Sequence, residues 1–467
     1  MIETGSLPEG LLIAFYGDDF TGSSAVMEIL SFAGLPTVLF LDPPTAEDLE
    51  QFASYRAIGV AGVARAQSPE WMDHELPPIF SALEALGAPI THFKTCSTLD
   101  SSPTVGSIGR AIDLAIPIIS GRPGAASWQP LIVAAPGIGR YQAFGNLFAA
   151  YDGRHFRLDR HPVMRRHPAT PMDEGDVALH LERQTERKIG LVDVTAVKSG
   201  AGGAELDRQL NSGHTVVSID VLDDETLLWA GREIWLRRAG GVFAIGSQGV
   251  EYALTAYWRH AGMLREVLEL PAAAAVDRVI VASGSVSPIT ATQIAWAAEN
   301  GFEVVPVDPE MALTEDTWRV ELGAAIASAK AALSQGRSPI LATALGPDDP
   351  SIARLKRAVA AAGASPGEVN SRVGTGLGEA LRHLLEATGL RRAVVAGGDT
   401  SGYAARALGI RALTALAPMA AGCPLCLAFA DGAPGEGLEI ALKGGQMGAA
   451  DFFGTVRAGR AIAAKEN

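Results

Sequence analysis

The sequence predicts an α/β fold with two α/β domains, of which the N-terminal one is Rossmann-like. Short apolar runs alternate with helical periodicity along the 467 residues. This length is too great for a single compact core. The alternation restarts with a fresh strand after an alanine-rich segment at 269–277. We therefore expect one domain over residues 1–268 and a second over residues 276–467.

Apolar runs of four to six residues mark the expected strands. In the first domain they are Leu11–Phe15, Thr37–Leu41, Ile58–Val63, Leu131–Ala135, Gly190–Val194, Thr215–Ile219 and Val242–Ile245. In the second they are Val279–Ala282, Glu303–Val307, Pro339–Thr343, Ala393–Ala396 and Leu438–Leu442. The first strand precedes a helix whose apolar face ends before Gly34 and Pro36, which are typical helix stop signals.

Charge and cysteine content limit the partners. A net charge of −14 argues against nucleic acid or an anionic membrane surface as the main partner. Three cysteines and an N-terminus without an export signal indicate a cytoplasmic protein. The uncharged run at 412–430 contains two prolines and a glycine, so we expect buried strand and turn there and no membrane span. Assembly into a homo-oligomer is left open.

Two adjacent carboxylates follow the first strand, Asp18 and Asp19, within the turn Gly17–Gly22. Ligands of open α/β sheets bind at the carboxyl ends of strands, where this turn is expected. Paired acids there can accept protons or hydroxyl hydrogen bonds from a polyol. Helix capping by Asp19 is the structural alternative, but capping explains only one of the two acids.

Basic and hydroxyl side chains follow other strand ends. Lys94, Thr95, Cys96 and Ser97 supply a cation and hydroxyls that suit a carboxylate or phosphate. Arg65, just after the strand Ile58–Val63, is a second candidate for holding a carboxylate. Each feature alone is also common in protein surfaces and turns, so the prediction depends on their combination.

Three glycine turns follow strands in the second domain and predict a phosphate-binding site. Small residues let backbone N–H groups approach phosphate oxygens, and a helix N-terminus adds a favourable dipole. The residues concerned are Ser283, Gly284, Ser285 and Ser287 in the first turn, Gly397, Gly398, Asp399 and Thr400 in the second, and Lys443, Gly444 and Gly445 in the third.

Two other motifs are not interpreted as sites. The segment 374–378 has the glycines of a dinucleotide fingerprint but the wrong spacing and no preceding strand. Cys423 and Cys426 have CxxC spacing but no second ligand pair, so we expect two small buried residues and no metal site.

Together the motifs resemble those of the four-carbon acid sugar kinase family, whose members phosphorylate tetronates and related sugar acids with ATP. The resemblance extends over most of the chain and includes the segment 135–140, which ends at Arg140. It implies an N-terminal domain that binds the acid sugar and a C-terminal domain that binds ATP. It assigns Asp19, Arg65 and residues 94–97 to the substrate and the three later turns to the nucleotide.

The chain departs from the family pattern after Lys94. The family has Lys-x-Asp-Ser-Thr-Leu-Arg-Gly where this chain carries Cys96 in place of the acid and Asp100 in place of the arginine. A changed charge pair alters which ligand the site tolerates. We therefore expect plain tetronates to be poor substrates and a branched or oxidised acid to be preferred, as in the family's branch that acts on a branched oxo acid.

The expected mechanism is phosphoryl transfer, which needs positioning and charge neutralisation more than covalent chemistry. Asp19 or Asp18 would accept the proton of the attacking hydroxyl, and Arg65 and Lys94 would hold the substrate carboxylate. The glycine turns and Mg²⁺ would hold the phosphates of ATP.

Two alternatives belong to other classes of protein. An NAD-dependent oxidoreductase of a small hydroxy acid would use Asp42, which follows the second strand, for the ribose. Two aspartates in the first turn would, however, repel its pyrophosphate. A non-catalytic cytosolic sugar-acid-binding protein would not need the second, phosphate-binding site.

Overall fold

A computed structural model describes residues 5–121, 123–167, 169–267 and 269–460 of the chain. These residues form two compact units that divide at residue 267. Each unit is an α/β domain, as the sequence predicts.

The first unit contains eleven strands and nine helices among its described residues. The strands are β1 Ile13–Gly17, β2 Thr37–Phe40, β3 Ala57–Ala61, β4 Ile90–Lys94, β5 Gln129–Ile132, β6 Arg140–Ala143, β7 Asn146–Tyr151, β8 Arg154–Arg157, β9 Ile189–Val192, β10 Val216–Ile219 and β11 Val242–Gly246. The helices are α1 Phe20–Phe32, α2 Ala46–Gln51, α3 Pro69–Ala85, α4 Ile108–Ile119, α5 Val177–Leu181, α6 Val194–Lys198, α7 Gly202–Asn211, α8 Asp224–Leu236 and α9 Gly249–His260.

Eight of these strands form one parallel sheet in the order β2-β3-β1-β4-β11-β5-β10-β9. After β1 the chain forms β2 and β3, which lie to one side of β1 within the sheet, and then β4, which pairs with β1 on its other side. This reversal is the switch point at which doubly wound sheets bind ligands. Strands β6, β7 and β8 form a separate antiparallel sheet, which we call the small sheet.

Buried side chains explain the continuous apolar runs of the central strands. Helices cover a parallel sheet on both faces, so its strands do not alternate between apolar and polar residues. Tyr16, Phe80, Phe93 and Phe243 are fully buried and contact one another edge-on or stacked in the centre of this core. The core fixes the register of β1 and β4, and therefore the positions of the loops that follow them.

The second unit contains seven strands and six helices among its described residues. The strands are β12 Ile280–Ser283, β13 Phe302–Pro306, β14 Ser338–Ala342, β15 Arg392–Ala396, β16 Ile410–Ala420, β17 Cys423–Ala430 and β18 Glu439–Lys443. The helices are α10 Pro288–Glu299, α11 Glu315–Ser334, α12 Pro350–Ala362, α13 Pro366–Thr388, α14 Gly398–Ala407 and α15 Phe452–Ala458.

The sheet of the second unit is parallel in the order β13-β14-β12-β15-β18. It continues with β17 and β16, which are antiparallel. The apolar run at 412–430 is therefore a strand, a turn and a second strand, as expected from its prolines and glycine. None of the helices in the described ranges is long and apolar enough to cross a membrane.

Candidate active site

The first group of candidate residues lies at the carboxyl edge of β3, β1 and β4. These three strands are parallel neighbours, so their carboxyl ends meet at one edge of the sheet. Asp18 and Asp19 follow β1, Arg65 follows β3, and Lys94 is the last residue of β4. The fold thus brings together side chains that are up to 76 residues apart in the sequence.

Arg65 connects the two aspartates. Its Nε and Nη2 donate to the two carboxylate oxygens of Asp18 at 3.2 and 2.6 Å. Its Nη1 and Nη2 donate to the two oxygens of Asp19, both at 2.8 Å. A guanidinium has five N–H groups, so one is left for any other acceptor. Arg65 is therefore committed to the aspartates and is not a free cation at this edge.

Asp18 and Asp19 differ in exposure. The side chain of Asp18 is 4% exposed, whereas that of Asp19 is 27% exposed. Burial raises the pKa of Asp18, while the Arg65 guanidinium opposes that rise. Asp19 also accepts a hydrogen bond from the Gly22 backbone N–H at 2.8 Å as the N-cap of α1. The capping alternative is thus correct for Asp19, and its exposed surface leaves it the more accessible of the two acids.

Lys94 is buried beside these groups. Its Nζ donates to the Thr95 carbonyl at 2.6 Å, and the residue is 2% exposed. A Cβ atom at Gly22 would lie 2.5 Å from Asp19 Oδ1 and 2.8 Å from Lys94 Nζ. Glycine is therefore required where α1 begins, because any side chain would displace the carboxylate or the ammonium group.

The segment after Lys94 turns its polar groups toward one another. Cys96 Sγ donates to Asp100 Oδ2 at 3.1 Å and contacts Thr98 Oγ1 at 3.0 Å, and Thr98 donates to Asp100 Oδ1 at 2.8 Å. Burial and the Asp100 charge raise the pKa of the Cys96 thiol to about 11. Cys96 is therefore a neutral hydrogen-bond donor and not a nucleophile. Ser97 is partly exposed.

Thr95 carries an unsatisfied polar group at this edge. Its backbone N–H donates to the Gly246 carbonyl at 2.6 Å, but its buried hydroxyl has no hydrogen-bond partner. A buried hydroxyl without a partner is costly, which is typical of a group that meets a ligand or an ordered water.

The sequence pattern assigns no role to Arg140, which begins β6 after the loop that leaves β5. Its Nη1 donates to the carbonyls of Ile138 and Gly139 at 3.2 and 3.3 Å, while its buried Nε has no partner. In the described part of the chain, no carboxylate lies within 4 Å of this guanidinium. An arginine in a short segment that contains Gly137 and Gly139 was the available signal, but only the fold shows that it makes no ion pair.

Asp220 was also missed, and it holds the small sheet in place. Its carboxylate accepts hydrogen bonds from Gln142 Nε2 at 3.1 Å, from the backbone N–H of Gly145 at 3.0 Å and Val194 at 3.0 Å, and from that of Phe144. The residue is fully buried at the carboxyl end of β10. An aspartate after a strand is too common in sequences to indicate this role.

The second group of candidate residues lies at the carboxyl edge of β12, β15 and β18. These strands are also parallel neighbours, so the three glycine turns meet. A Cβ atom at Gly284 would lie 2.3 Å from Thr400 Oγ1, and one at Gly445 would lie 3.0 Å from Ser285 Oγ. The glycines thus allow an approach between turns that no other residue permits. Ser287 caps α10 by accepting from the Ile289 N–H at 3.2 Å.

Residues of these turns differ in accessibility. Gly398 and Asp399 are exposed where α14 begins, and Gly444 is partly exposed. Ser283 is fully buried, and its hydroxyl has no partner. Gly398 and Asp399 therefore place accessible polar groups at the start of α14, namely their backbone N–H groups and the Asp399 carboxylate.

Lys443 is the cation of the second group and is fully buried. Its Nζ donates to Thr290 Oγ1 at 3.0 Å and lies 5.8 Å from the centre of the Phe452 ring. Thr290 in turn donates to the Gly445 carbonyl at 3.3 Å. Burial lowers the pKa of Lys443 to about 8. In this conformation the ammonium group acts on the turns through Thr290 and through its charge.

The two rejected motifs have structural roles. The glycines at 374, 376 and 378 lie within α13, where Gly376 contacts Trp318 of α11 and Gly378 contacts Ala404 of α14. Cys423 and Cys426 are both buried in β17. Among the described residues, no cluster of three or more His, Cys, Asp or Glu side chains could hold a metal ion.

Comparisons with known proteins match both units. Residues 13–254 match the model of a sugar-binding N-terminal domain, and residues 280–453 match that of a nucleotide-binding C-terminal domain. A 3-oxo-isoapionate kinase from Paraburkholderia graminis is 48% identical over 97% of this chain and 95% of its own length. A 3-oxo-tetronate kinase from Methylobacterium radiotolerans is 32% identical over 95% of this chain and 98% of its own.

Solved structures share the fold. A protein from Salmonella typhimurium LT2 superposes with a TM-score of 0.76 and 24% identity, covering 95% of this chain and 98% of its own. A Haemophilus influenzae protein gives a TM-score of 0.70 and 21% identity, covering 95% and 99%. The arrangement of both sheets is therefore shared with proteins of low sequence identity.

Proposed function

Because the chain belongs to the four-carbon acid sugar kinase family, we propose that it transfers the terminal phosphoryl group of ATP to a hydroxyl of a small, oxidised and branched sugar acid. The observation that carries this proposal is the 48% identity to a 3-oxo-isoapionate kinase over 97% of the chain. The geometry is compatible with it, since one unit presents paired carboxylates at a switch point and the other a triple glycine turn.

In the proposed reaction the substrate hydroxyl oxygen attacks the γ-phosphorus of ATP. The bond between that phosphorus and the β–γ bridging oxygen breaks, ADP leaves, and the hydroxyl proton passes to a carboxylate. Asp19 is the better acceptor of this proton because its side chain is 27% exposed, against 4% for Asp18. Asp18 would act by fixing Arg65, which orients Asp19.

ATP would bind at the edge of β12, β15 and β18. Backbone N–H groups at the start of α14 suit phosphate oxygens, and the dipoles of α10 and α14 add to this attraction. Mg²⁺ usually binds through one or two carboxylates together with substrate phosphates. The exposed Asp399 fits that requirement and would hold the ion, which neutralises charge on the phosphates.

A coupled ADP-release assay tests the proposal. The substrates are 3-oxo-isoapionate, 3-oxo-tetronate, erythronate, threonate and a neutral tetrose. We expect the branched oxo acid to react fastest and the neutral sugar to be inert. Faster turnover of erythronate or threonate would refute the expected preference, and turnover of the neutral sugar alone would refute an acid substrate.

Asp19→Asn tests the catalytic carboxylate in the same assay. Asparagine caps helices as well as aspartate does, so α1 should persist. Loss of a general base typically lowers turnover by about 10²- to 10⁴-fold, with nucleotide binding unchanged. Asp42→Asn is the matched control, because Asp42 is an exposed aspartate after β2, which β3 separates from β1. Near-normal turnover of Asp19→Asn would leave Asp19 with a capping role only.

A further inference from the structure

The charges around Asp19 balance without a substrate. Asp18 and Asp19 contribute two negative charges, and Arg65 and Lys94 contribute two positive ones. Arg65 uses four of its five N–H groups on the two carboxylates. Bidentate capture of a third carboxylate by Arg65 would require breaking bonds to the first two. The substrate acid therefore needs another cation.

Among the residues that the structure describes at this edge, Arg140 has more unused donors than Arg65. With respect to the described residues, only its Nη1 makes side-chain hydrogen bonds, at 3.2 and 3.3 Å, and both acceptors are backbone carbonyls of its own loop. Nε is buried without a partner. A partly buried cation that makes no direct ion pair is stabilised when an anion binds to it. Nε and Nη2 together offer the planar fork that matches a carboxylate.

The surroundings of Arg140 place it near residues 94–100, the segment at the end of β4 that carries several of the predicted substrate-binding residues. Its loop leaves β5, whose carboxyl end lies at the same edge of the sheet as those of β1 and β4. The charge of Asp100 acts on Arg140, and Asp100 already accepts from Cys96 and Thr98. Only one strand, β11, separates β5 from β4, which corresponds to about 10 Å between them. An extended arginine and a four- or five-carbon acid span that distance.

We propose that Arg140 binds the carboxylate of the substrate, while Arg65 holds Asp18 and Asp19 in their catalytic arrangement. This inference rests on the proposed function and reassigns the cation that recognises the acid. Asp100 then lies beside the carboxylate site as a hydrogen-bond acceptor, with the buried Thr95 hydroxyl nearby as a donor. Such an acceptor suits a substrate that carries an additional hydroxyl on a branch.

The small sheet fixes the position of Arg140. The backbone N–H of Arg140 donates to Ala135 at 3.2 Å, and Ala135 donates back at 2.9 Å. At the other end of β6, Asp220 accepts from the turn through Gly145 and Phe144. Both ends of β6 are thus hydrogen-bonded to segments that directly follow strands of the main sheet. This preorganises the guanidinium for an anion.

Calorimetric titration and steady-state kinetics of Arg140→Met and Arg140→Lys test the proposal. The probes are 3-oxo-isoapionate and its uncharged primary amide. We expect Arg140→Met to weaken acid binding and raise its KM by roughly 100-fold, with the KM for ATP unchanged. Arg140→Lys keeps the positive charge but loses the planar pair of donors. Its KM for the acid should therefore lie between those of Arg140→Met and wild type. The amide should bind both wild type and Arg140→Met weakly.

Arg154→Met is the matched control, since Arg154 is an exposed arginine on β8 of the same small sheet. It should leave the acid KM unchanged. Arg140→Met should melt no lower than wild type, because it removes a buried donor that has no partner. An unchanged acid KM in Arg140→Met, or an Arg65→Met variant that loses acid binding while keeping kcat, would overturn this inference alone. Failure of the wild-type enzyme to phosphorylate any acid in the panel would overturn the proposed function and this inference with it.

Discussion

Two arginines at one sheet edge show how environment divides the roles of identical side chains. Arg65 donates four hydrogen bonds to two carboxylates, whereas Arg140 donates two, both to backbone carbonyls. The sequence indicated Arg65 because it follows a strand. It could not indicate that Arg65 is already neutralised, because the pairing joins residues 46 and 47 positions apart. Arg140 ends the segment 135–140, which resembles the family's sequence but indicates no role for the arginine.

A pH dependence follows from Lys443, whose pKa burial lowers from 10.5 to about 8. The ammonium charge favours phosphate binding, so ATP affinity should fall as pH rises through 8. At pH 9 a group with a pKa of 8 is about one-tenth protonated, which limits the loss to about tenfold. Titration of ATP at pH 7, 8 and 9 measures this change. Lys443→Met should abolish the dependence, and Lys356→Met, at an exposed lysine of α12, should retain it.

The free energy of unfolding should rise with pH, whereas ATP affinity should fall. Because the folded pKa of Lys443 is below its ordinary value, the unfolded chain binds more protons between about pH 8 and 10.5. The contribution of this group to the free energy of unfolding therefore rises with pH across that window.

ATP affinity that stays constant from pH 7 to 9 would show that the Lys443 charge does not act on the nucleotide.

At the scale of single elements, all the expected strands are observed, with shifts of at most three residues at their ends. The apolar runs were readable because a parallel sheet buried on both faces requires them. The strands of the small sheet were missed, since β8 is short, mostly charged and exposed, and gives no apolar pattern. The three glycine turns were predicted to form one phosphate-binding site, because each follows a strand of the same domain. Their meeting depends on the order β12-β15-β18, which the sequence does not reveal.

Helix α13 lets us test how packing supports the nucleotide turns. A Cβ atom at Gly378 would lie 2.6 Å from the Ala404 Cα and 2.8 Å from the Ala407 Cβ of α14. Gly378→Ala should therefore displace α14, whose first residues form the second glycine turn. We expect a net loss of stability of about 1–3 kcal/mol from overpacking and a higher KM for ATP.

Gly323→Ala is the control for this substitution. Gly323 lies in α11, and a Cβ atom there would meet nothing within 4 Å. The greater helix propensity of alanine should then stabilise the protein by up to about 1 kcal/mol. Thermal unfolding with and without ATP compares the two variants. If both were equally stabilised, the close contact between α13 and α14 would not constrain the turn.

At the scale of the whole molecule, the two units should respond to different ligands. ATP with Mg²⁺ should slow hydrogen exchange in the three glycine turns, and the substrate acid should slow it at residues 18–22, 94–100 and 140. At about 100 times its dissociation constant, a ligand raises the free energy of unfolding by roughly 2.7 kcal/mol. NAD serves as the control nucleotide. Stabilisation by NAD without stabilisation by ATP would replace the kinase proposal with the oxidoreductase alternative.

The small sheet has a consequence for how new substrate ranges evolve. Strands β6, β7 and β8 form an insertion between β5 and β9, and none of them pairs with a strand of the main sheet. Mutations in this insertion can reshape the surroundings of Arg140 while the order of the eight parallel strands stays intact. Selection for a different acid substrate can thus change residues of this short insertion while the carboxylates after β1 stay the same. Grafting residues 136–158 between family members would be a compact way to transfer substrate preference.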